Sequence, residues 1–246
     1  MIPKVIHYCW FGRNPLPKDA IKCIKSWKKF CPDYEIKQWN ESNFDFSDCS
    51  YAMEAYKEKK WAFVSDYARF KILYENGGVY FDTDVELVNS IEDIVSKGPF
   101  MGCEKDCICD ISVAPGLGLG VNPGHELYRE ILDFYKTLHF KKLENGKYKT
   151  VVEYTTEILQ KHGLKIINDI QFVRGVYVYP KEYFQPMNLE TGKITLSQNT
   201  VSVHHYSGSW LDKKGKRRGS IYKTIKKVFG ERVADYIRVL FSKKML

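Results

Sequence analysis

Two aspartates, Asp82 and Asp84, stand one residue apart directly after the short apolar segment 79–81. That segment consists of residues that favour β-strands, and open α/β sheets bind their ligands beyond the carboxyl ends of such strands. Neighbouring carboxylates repel each other, and burial also deprives them of hydration. Because a divalent cation would offset both costs, the pair predicts a metal site with Asp82 and Asp84 as ligands.

The segment before this pair, residues 61–75, is predicted to form the helix that positions a second charged pair. Aromatic residues recur on it at three- and four-residue steps, which is typical of one buried stripe. Asp66 and Arg69 lie toward that stripe, and residues 76–78, Asn-Gly-Gly, end the helix. The stripe consists of Phe63, Tyr67, Phe70 and Tyr74, and the opposite face of Val64, Ala68, Lys71 and Glu75.

The combined pattern of residues 65–84, SDYARxxxLYxxGGVYxDTD, resembles that of glycosyltransferase family 32. This family groups the yeast initiating mannosyltransferases with bacterial capsular-sugar transferases, and its core is similar to the glucosylating domain of large clostridial toxins. The resemblance implies a GT-A fold, which is a Rossmann-like, mainly parallel mixed sheet flanked by helices. It also implies that Asp82 and Asp84 hold Mn²⁺ or Mg²⁺ and, through the ion, the diphosphate of a UDP- or GDP-sugar. Asp66 and Arg69 would contact the sugar and the ribose of this donor.

The same resemblance assigns further residues to the site. Trp10, in the loop after the first predicted strand, would stack on the base, although it is equally compatible with a core position. Tyr80, Ser209 and Trp210 would contact the donor, with Trp210 near its phosphate. A histidine in the His204-His205 block would complete the metal shell. Because adjacent strand residues point to opposite faces, only one of the two faces the ion, and we expect His205, with His204 as the alternative.

A run of alternating glycines, Gly116, Gly118 and Gly120, does not have the spacing of a dinucleotide-binding loop. Small residues at these positions would let the backbone lie close to the bound sugar or the metal. A plain glycine-rich turn is equally compatible with the pattern.

Other functions fit parts of the pattern. Asp66 and Arg69 are three residues apart, as in many structural ion pairs of helices. Asp82 could also be the nucleophile of an aspartyl phosphatase. Such enzymes need a later acidic cluster, commonly Asp-Asp or Gly-Asp, and neither dipeptide occurs in this sequence.

A basic binding module for membranes or nucleic acids is the remaining alternative. Because no nucleic-acid motif accompanies the basic residues, we expect no nucleic-acid partner.

The 246-residue chain is predicted to contain a catalytic domain at residues 1–212 and a basic helical extension at 213–246. The extension is rich in Lys and Arg, and its apolar residues recur at helical spacing. This pattern is typical of helices that rest on anionic membranes, and also of a helix that packs its apolar stripe on the core.

The seven cysteines are odd in number and scattered, which favours reduced thiols. The sequence has neither a secretory leader nor an apolar run long enough to span a bilayer. We therefore expect a cytoplasmic protein, peripheral at the inner face of the cell membrane. Its expected reaction is transfer of a sugar, with retention of configuration, to a saccharide or lipid-linked acceptor in bacterial surface polysaccharide synthesis.

Overall fold

The computed structural model describes residues 1–107, 110–188 and 192–207. The expected extension 213–246, together with Ser209 and Trp210, lies outside these residues. The helices are α1 (Lys18–Phe30), α2 (Ser50–Lys57), α3 (Trp61–Asn76), α4 (Glu92–Lys97), α5 (Glu126–Lys136), α6 (Val151–Lys161) and α7 (Lys181–Phe184). The strands are β1 (Val5–Cys9), β2 (Glu35–Trp39), β3 (Gly78–Tyr80), β4 (Val85–Leu87), β5 (Phe100–Cys107), β6 (Asp110–Val113), β7 (Leu119–Val121), β8 (Gln171–Val173), β9 (Val176–Tyr179) and β10 (Ser202–His204).

The described strands form one large sheet and one small sheet. The large sheet has the order β2-β1-β3-β7-β5-β9-β8, with β6 paired to β5. Strands β1, β2, β3, β5 and β9 run in one direction, whereas β6, β7 and β8 run against them. In the small sheet, β10 pairs antiparallel with β4. The expected α/β class with a mainly parallel mixed sheet is confirmed.

Helices cover both faces of the large sheet because side chains alternate along its strands. On β3, Tyr80 enters one buried apolar cluster, whereas Val79 and the following Phe81 enter the other. The first cluster contains side chains from α3, α5 and α6, and the second contains Trp27 of α1 and Ile94 of α4. No helix of the described residues is long and apolar enough to cross a membrane.

Helix α3 lies deep in the first cluster and leads directly into β3. Its end follows from Gly77, which takes a φ of +64° and donates its amide to the carbonyl of Leu73 at 2.8 Å. The sequence placed Val64 and Ala68 on the face opposite the core, but both are fully buried. This expectation was wrong because α3 packs against α2 and α5 as well as against β1.

Candidate donor and metal site

A tight turn after β3 and the pairing of the small sheet bring three possible metal ligands together. The amide of Val85 donates to the carbonyl of Asp82 at 3.0 Å, which closes the turn that carries both aspartates. Val85 then begins β4 and pairs with His204 of β10. One possible ligand atom from each of Asp82, Asp84 and His204 lies within 4.8 Å of the other two.

The register of the small sheet decides which histidine faces the aspartates. The ring Nε2 of His204 lies 2.9 Å from Oδ1 of Asp84, whereas the ring Nε2 of His205 lies 2.8 Å from Oε2 of Glu86. The His204 side chain is 12% exposed and that of His205 is 38% exposed. The expectation of His205 is therefore corrected to the alternative, His204. Neighbouring strand residues do point to opposite faces, and the pairing of His204 with Val85 fixes which one points inward.

Arg69 joins the charged pair of α3 to the first aspartate of the turn. Its Nη2 atom lies 3.0 Å from Oδ1 of Asp66 and 3.0 Å from Oδ1 of Asp82. The Arg69 side chain is 3% exposed, and its Nε atom has no hydrogen-bond partner among the described residues. Asp66 and Arg69 thus form an ion pair within the helix, which was one of the two interpretations of their spacing. The same guanidinium also holds Asp82 in place.

Burial and mutual charge shift the pKa values of these groups. Burial raises the pKa of Asp66 to about 7, because the opposing effect of Arg69 is incomplete and Asp82 adds repulsion. For Arg69, burial lowers the pKa, but Asp82, Tyr80 and Asp66 outweigh it and leave the pKa well above its usual value. For His204, burial also lowers the pKa, yet the hydrogen bond and charge of Asp84 raise it overall.

Tyr80 supports Asp82 from inside the protein. Tyr80 is 1% exposed, and its hydroxyl donates to Oδ1 of Asp82 at 3.0 Å. Because the side chain is buried, the Tyr80 hydroxyl contacts Asp82 rather than the protein surface. Together with Arg69, it gives this carboxylate oxygen two donors, which fixes the orientation of the Asp82 side chain.

Gly116 lies against the other side of Asp82. A β-carbon at this position would overlap Oδ2 of Asp82, and the Gly116 carbonyl accepts the Asp82 amide at 3.1 Å. Only glycine leaves room for the carboxylate, so at this position the backbone does lie close to Asp82, one of the expected metal ligands. Gly118 and Gly120 instead face phenylalanine rings, which indicates a role in packing.

The donor set of this cluster fits a divalent cation. Carboxylate oxygens suit Mg²⁺ and Mn²⁺, and neutral imidazole adds a ligand that Mn²⁺ accepts well. Even with Asp66 protonated, Asp82 and Asp84 outnumber the single guanidinium of Arg69 as long as the His204 ring is neutral, so the cluster retains negative charge that a cation would balance. In addition, the Nδ1 atom of His204 is buried without a hydrogen-bond partner in the described part of the chain.

The other expected donor residues are not joined to this cluster by any described contact. Trp10 is half-buried beside the second apolar cluster, and its Nε1 donates to the Asn14 carbonyl at 2.6 Å. Its role as a base platform stays a prediction. The roles of Ser209 and Trp210 also stay predictions, since both residues lie outside the described chain.

Three residues that the sequence did not single out surround His204. The backbone amide of His204 donates to Oε1 of Gln185 at 3.2 Å. The Tyr206 ring lies 4.1 Å from the His204 ring between centroids, and the Tyr206 hydroxyl donates to Oε2 of Glu104 at 3.1 Å. Nothing in their spacing along the sequence identifies them, because they come from three separate segments.

A family comparison identifies the region that contains the aspartate pair. Residues 17–101 match the family described as "Glycosyltransferase sugar-binding region containing DXD motif". The match includes α3 with Asp66 and Arg69, and the turn with Asp82 and Asp84. This part of the chain is therefore similar to the sugar-binding region of glycosyltransferases.

Curated proteins similar to this chain include inositol phosphoceramide mannosyltransferase 3 of Schizosaccharomyces pombe. It is 30% identical over 98 residues, which is 38% of this chain and 27% of the yeast protein. Glycosyltransferase L373 of Acanthamoeba polyphaga mimivirus is 24% identical over 204 residues, covering 76% of this chain and 77% of the viral protein. The chain thus spans about a quarter of the length of the yeast relative and most of the viral one.

Solved structures similar to this chain include two glycosyltransferases. The PaToxG glycosyltransferase has a TM-score of 0.48 and 20% identity over 65% of this chain and 69% of its own. A glycosyltransferase involved in glycosylation of the major capsid of PBCV-1 has a TM-score of 0.46 and 10% identity, with 89% of this chain and 100% of its own covered.

Proposed function

We propose that this chain uses a divalent metal ion to transfer a sugar from a nucleotide-diphosphate sugar to a hydroxyl of a saccharide or lipid-linked acceptor. The observation that carries the proposal is the convergence of Asp82, Asp84 and His204 within 4.8 Å, at a turn that belongs to the matched sugar-binding region. Carboxylates and an imidazole at this spacing form a cation site, and a diphosphate is a ligand that needs a cation.

The described residues suggest how the site would work. Asp82, Asp84 and His204 would hold Mn²⁺ or Mg²⁺, and the ion would supply positive charge to the departing diphosphate. Arg69 and Tyr80 fix Asp82 before any donor arrives, so the site needs little reorganisation during the reaction. Because both donors bind Oδ1 of Asp82, they leave Oδ2 and the Asp84 carboxylate as the nearer acidic groups for an ion.

The donor is a UDP- or GDP-sugar in this proposal, with Trp10, Ser209 and Trp210 as its further contacts. The name of the yeast relative makes mannose the first sugar to test. The resemblance to family 32 supports retention of configuration and a place in bacterial surface polysaccharide synthesis. Analysis of the anomeric configuration of the first-formed product by NMR tests retention, and an inverted product contradicts it.

Residues 213–246 would attach the enzyme to an anionic membrane at the cytoplasmic face, close to a lipid-linked acceptor. Basic residues near such a surface contribute about 1 kcal/mol each. Co-sedimentation with phosphatidylglycerol vesicles at low salt tests this attachment, and equal sedimentation after deletion of residues 213–246 contradicts it.

The phosphatase alternative is poorly supported by the geometry of Asp82. Its Oδ1 atom already accepts hydrogen bonds from Arg69 and Tyr80, which hold the carboxylate in place. The sequence also lacks the later Asp-Asp or Gly-Asp cluster that such enzymes need. Release of phosphate from simple phosphomonoesters would favour the alternative.

The main experiment screens UDP- and GDP-sugars with Mn²⁺ for thermal stabilisation and for slow hydrolysis of the donor. A ligand at a hundredfold its dissociation constant adds about 2.7 kcal/mol of stability, so one donor should stand out. Asp84→Ala should keep the fold and lose metal-dependent hydrolysis by about 10²–10³-fold. Full activity of Asp84→Ala in the presence of a chelator would refute the proposed function.

A further inference from the structure

Tyr206 has an unusual backbone conformation directly after the strand that carries His204. Its φ is +46°, a left-handed value that residues other than glycine seldom adopt. Such strain persists only where surrounding contacts maintain it. In this conformation the Tyr206 ring folds back onto the His204 ring, with 4.1 Å between the ring centroids.

The contact that maintains this conformation is a hydrogen bond to a carboxylate that is largely shielded from water. The Tyr206 hydroxyl donates to Oε2 of Glu104 at 3.1 Å. Burial raises the pKa of Glu104, while the bond from Tyr206 and the charges of Lys105 and His204 lower it. Because removal of a carboxylate from water is costly without a donor, Glu104 and Tyr206 stabilise each other.

This hydrogen bond connects the two sheets of the molecule. Glu104 lies on β5 of the large sheet, whereas His204 belongs to β10 of the small sheet. The aspartates of the turn follow β3 of the large sheet. They lie in the turn that leads into β4 of the small sheet, so Tyr206 ties the strand that carries His204 to β5 of the large sheet beside this turn.

The His204 ring has little else to fix its orientation. Its backbone amide is held by Gln185, and its Nε2 lies beside Asp84, but its Nδ1 has no hydrogen-bond partner among the described residues. Metal-binding histidines usually donate their second ring nitrogen to an acceptor, which fixes the ring. In this protein the Tyr206 ring lies against the imidazole, with 4.1 Å between the ring centroids, and limits its rotation.

We propose that Tyr206 and Glu104 are positioning residues that hold the His204 imidazole toward Asp82 and Asp84 and thereby set the affinity for the metal ion. This inference rests on the metal site of the proposed function. Neither residue is expected to touch the ion or the sugar donor, so both act through the orientation of one ligand.

The test is a titration of the full chain with Mn²⁺, followed by electron paramagnetic resonance of the free ion, with no nucleotide sugar present. Tyr206→Phe keeps the ring and loses the hydroxyl that donates to Glu104, and we expect about a tenfold rise in the dissociation constant. Glu104→Leu should give the same rise.

Glu104→Gln keeps an acceptor for the hydroxyl and should stay within about threefold of the wild type. The double variant Tyr206→Phe/Glu104→Leu should be no worse than either single variant, because both remove one interaction.

Tyr148→Phe is the matched control. The Tyr148 hydroxyl donates to Oε2 of Glu58 at 2.7 Å, so the variant removes a tyrosine–glutamate bond from a partly buried ring that has no described contact with Asp82, Asp84 or His204. It should leave the Mn²⁺ dissociation constant unchanged.

The outcomes separate the two proposals. A wild-type chain that binds no Mn²⁺ refutes the metal site of the proposed function. A wild type that binds Mn²⁺, together with a folded Tyr206→Phe variant of equal affinity, refutes only the positioning role. A lower melting temperature of the metal-free Tyr206→Phe variant with unchanged affinity also refutes it, because the bond would then be merely structural. Equal losses of Mn²⁺ affinity in Tyr148→Phe and Tyr206→Phe would also refute the positioning role.

Discussion

Two buried histidines, His7 on β1 and His204 on β10, show how the same side chain serves opposite purposes in this fold. His7 is 2% exposed, and both of its ring nitrogens are occupied. Its Nδ1 accepts from Nε1 of Trp39 at 3.0 Å, and its Nε2 lies 3.0 Å from the carbonyl of Gly77, to which it donates in the neutral ring. Burial lowers the pKa of His7 to about 4; the bond to Gly77 opposes this effect and Lys37 adds to it.

His204 experiences the same effect of burial but has different partners. A carboxylate lies beside one ring nitrogen, and the other has no partner in the described chain. The pKa of His204 is therefore raised and not lowered. Burial alone does not decide the charge of a histidine; the partners do. A ring with two neutral partners fixes the fold, whereas a ring beside a carboxylate suits the binding of a cation.

The sharpest test of this contrast compares the neighbours His204 and His205. His204→Gln should lower metal-dependent hydrolysis of the donor by about 10²–10³-fold, since it removes a ligand of the ion. His205→Gln loses only the exposed contact with Glu86 and should stay within about threefold, as surface ion pairs contribute little. Activities of both variants are measured with saturating Mn²⁺ at matched amounts of folded protein. Equal losses would remove the distinction between the two histidines.

His7 should instead determine stability. His7→Leu leaves the indole N–H of Trp39 and the carbonyl of Gly77 unpaired and should lower the free energy of unfolding by about 2–4 kcal/mol. Urea denaturation measures this loss. At low temperature, the fraction that remains folded should bind Mn²⁺ as the wild type does. A selective loss of Mn²⁺ affinity in a stable His7→Leu protein would contradict the assignment.

The pH dependence of stability sharpens the same comparison. The pKa of His7 is lower in the folded state than the unfolded value of 6.5, so the unfolded chain binds more protons. Its contribution is complete above pH 6.5 and is lost as the pH falls toward 4. Asp66 and His204, whose pKa values are raised, have the opposite effect on stability. The informative quantity is therefore the difference between the wild type and His7→Gln, which should shrink on acidification. A constant difference from pH 7 to pH 4 would show that His7 does not titrate in this way.

The smallest expected effect concerns the support of Asp82. Tyr80→Phe removes one of two donors to Oδ1 of Asp82 but keeps the ring, whose centroid lies 5.1 Å from the Arg69 guanidinium carbon. We expect about a tenfold weaker affinity for Mn²⁺, the value of one hydrogen bond of about 1.4 kcal/mol. Tyr8→Phe, which loses a bond to Gln38 on the neighbouring strand, is the control and should leave the affinity unchanged. An effect of Tyr8→Phe as large as that of Tyr80→Phe would point to general loosening of the sheet.

Local patterns were sufficient to predict much of this arrangement. The stripe of α3, the Gly77 stop and the apolar strand before Asp82 each depend on residues a few positions apart. The predicted positions of Asp66 and Arg69 and the close approach of Gly116 followed from the same reasoning. These features depend on the short-range geometry of helices, turns and strands, which the sequence specifies directly.

Other features depend on contacts between distant segments. Alternation along a strand shows that one of His204 and His205 faces inward, but only the pairing of His204 with Val85 shows which one. The burial of Val64 and Ala68 depends on α2 and α5, which a single helical stripe does not reveal. The φ of Tyr206 and its bond to Glu104 depend on a partner more than a hundred residues away. No local pattern specifies such a contact.

The separation of His204 from Asp84 along the chain, 120 residues, also has a consequence for the nascent protein. At roughly 5–20 residues per second, a ribosome would need several seconds or more to synthesise the intervening segment. During that interval the aspartate pair would already have emerged without its imidazole partner. A metal ion therefore cannot nucleate the early folding of β3 through the full ligand set. Binding of an ion by all three residues would have to await synthesis of the strand that carries His204.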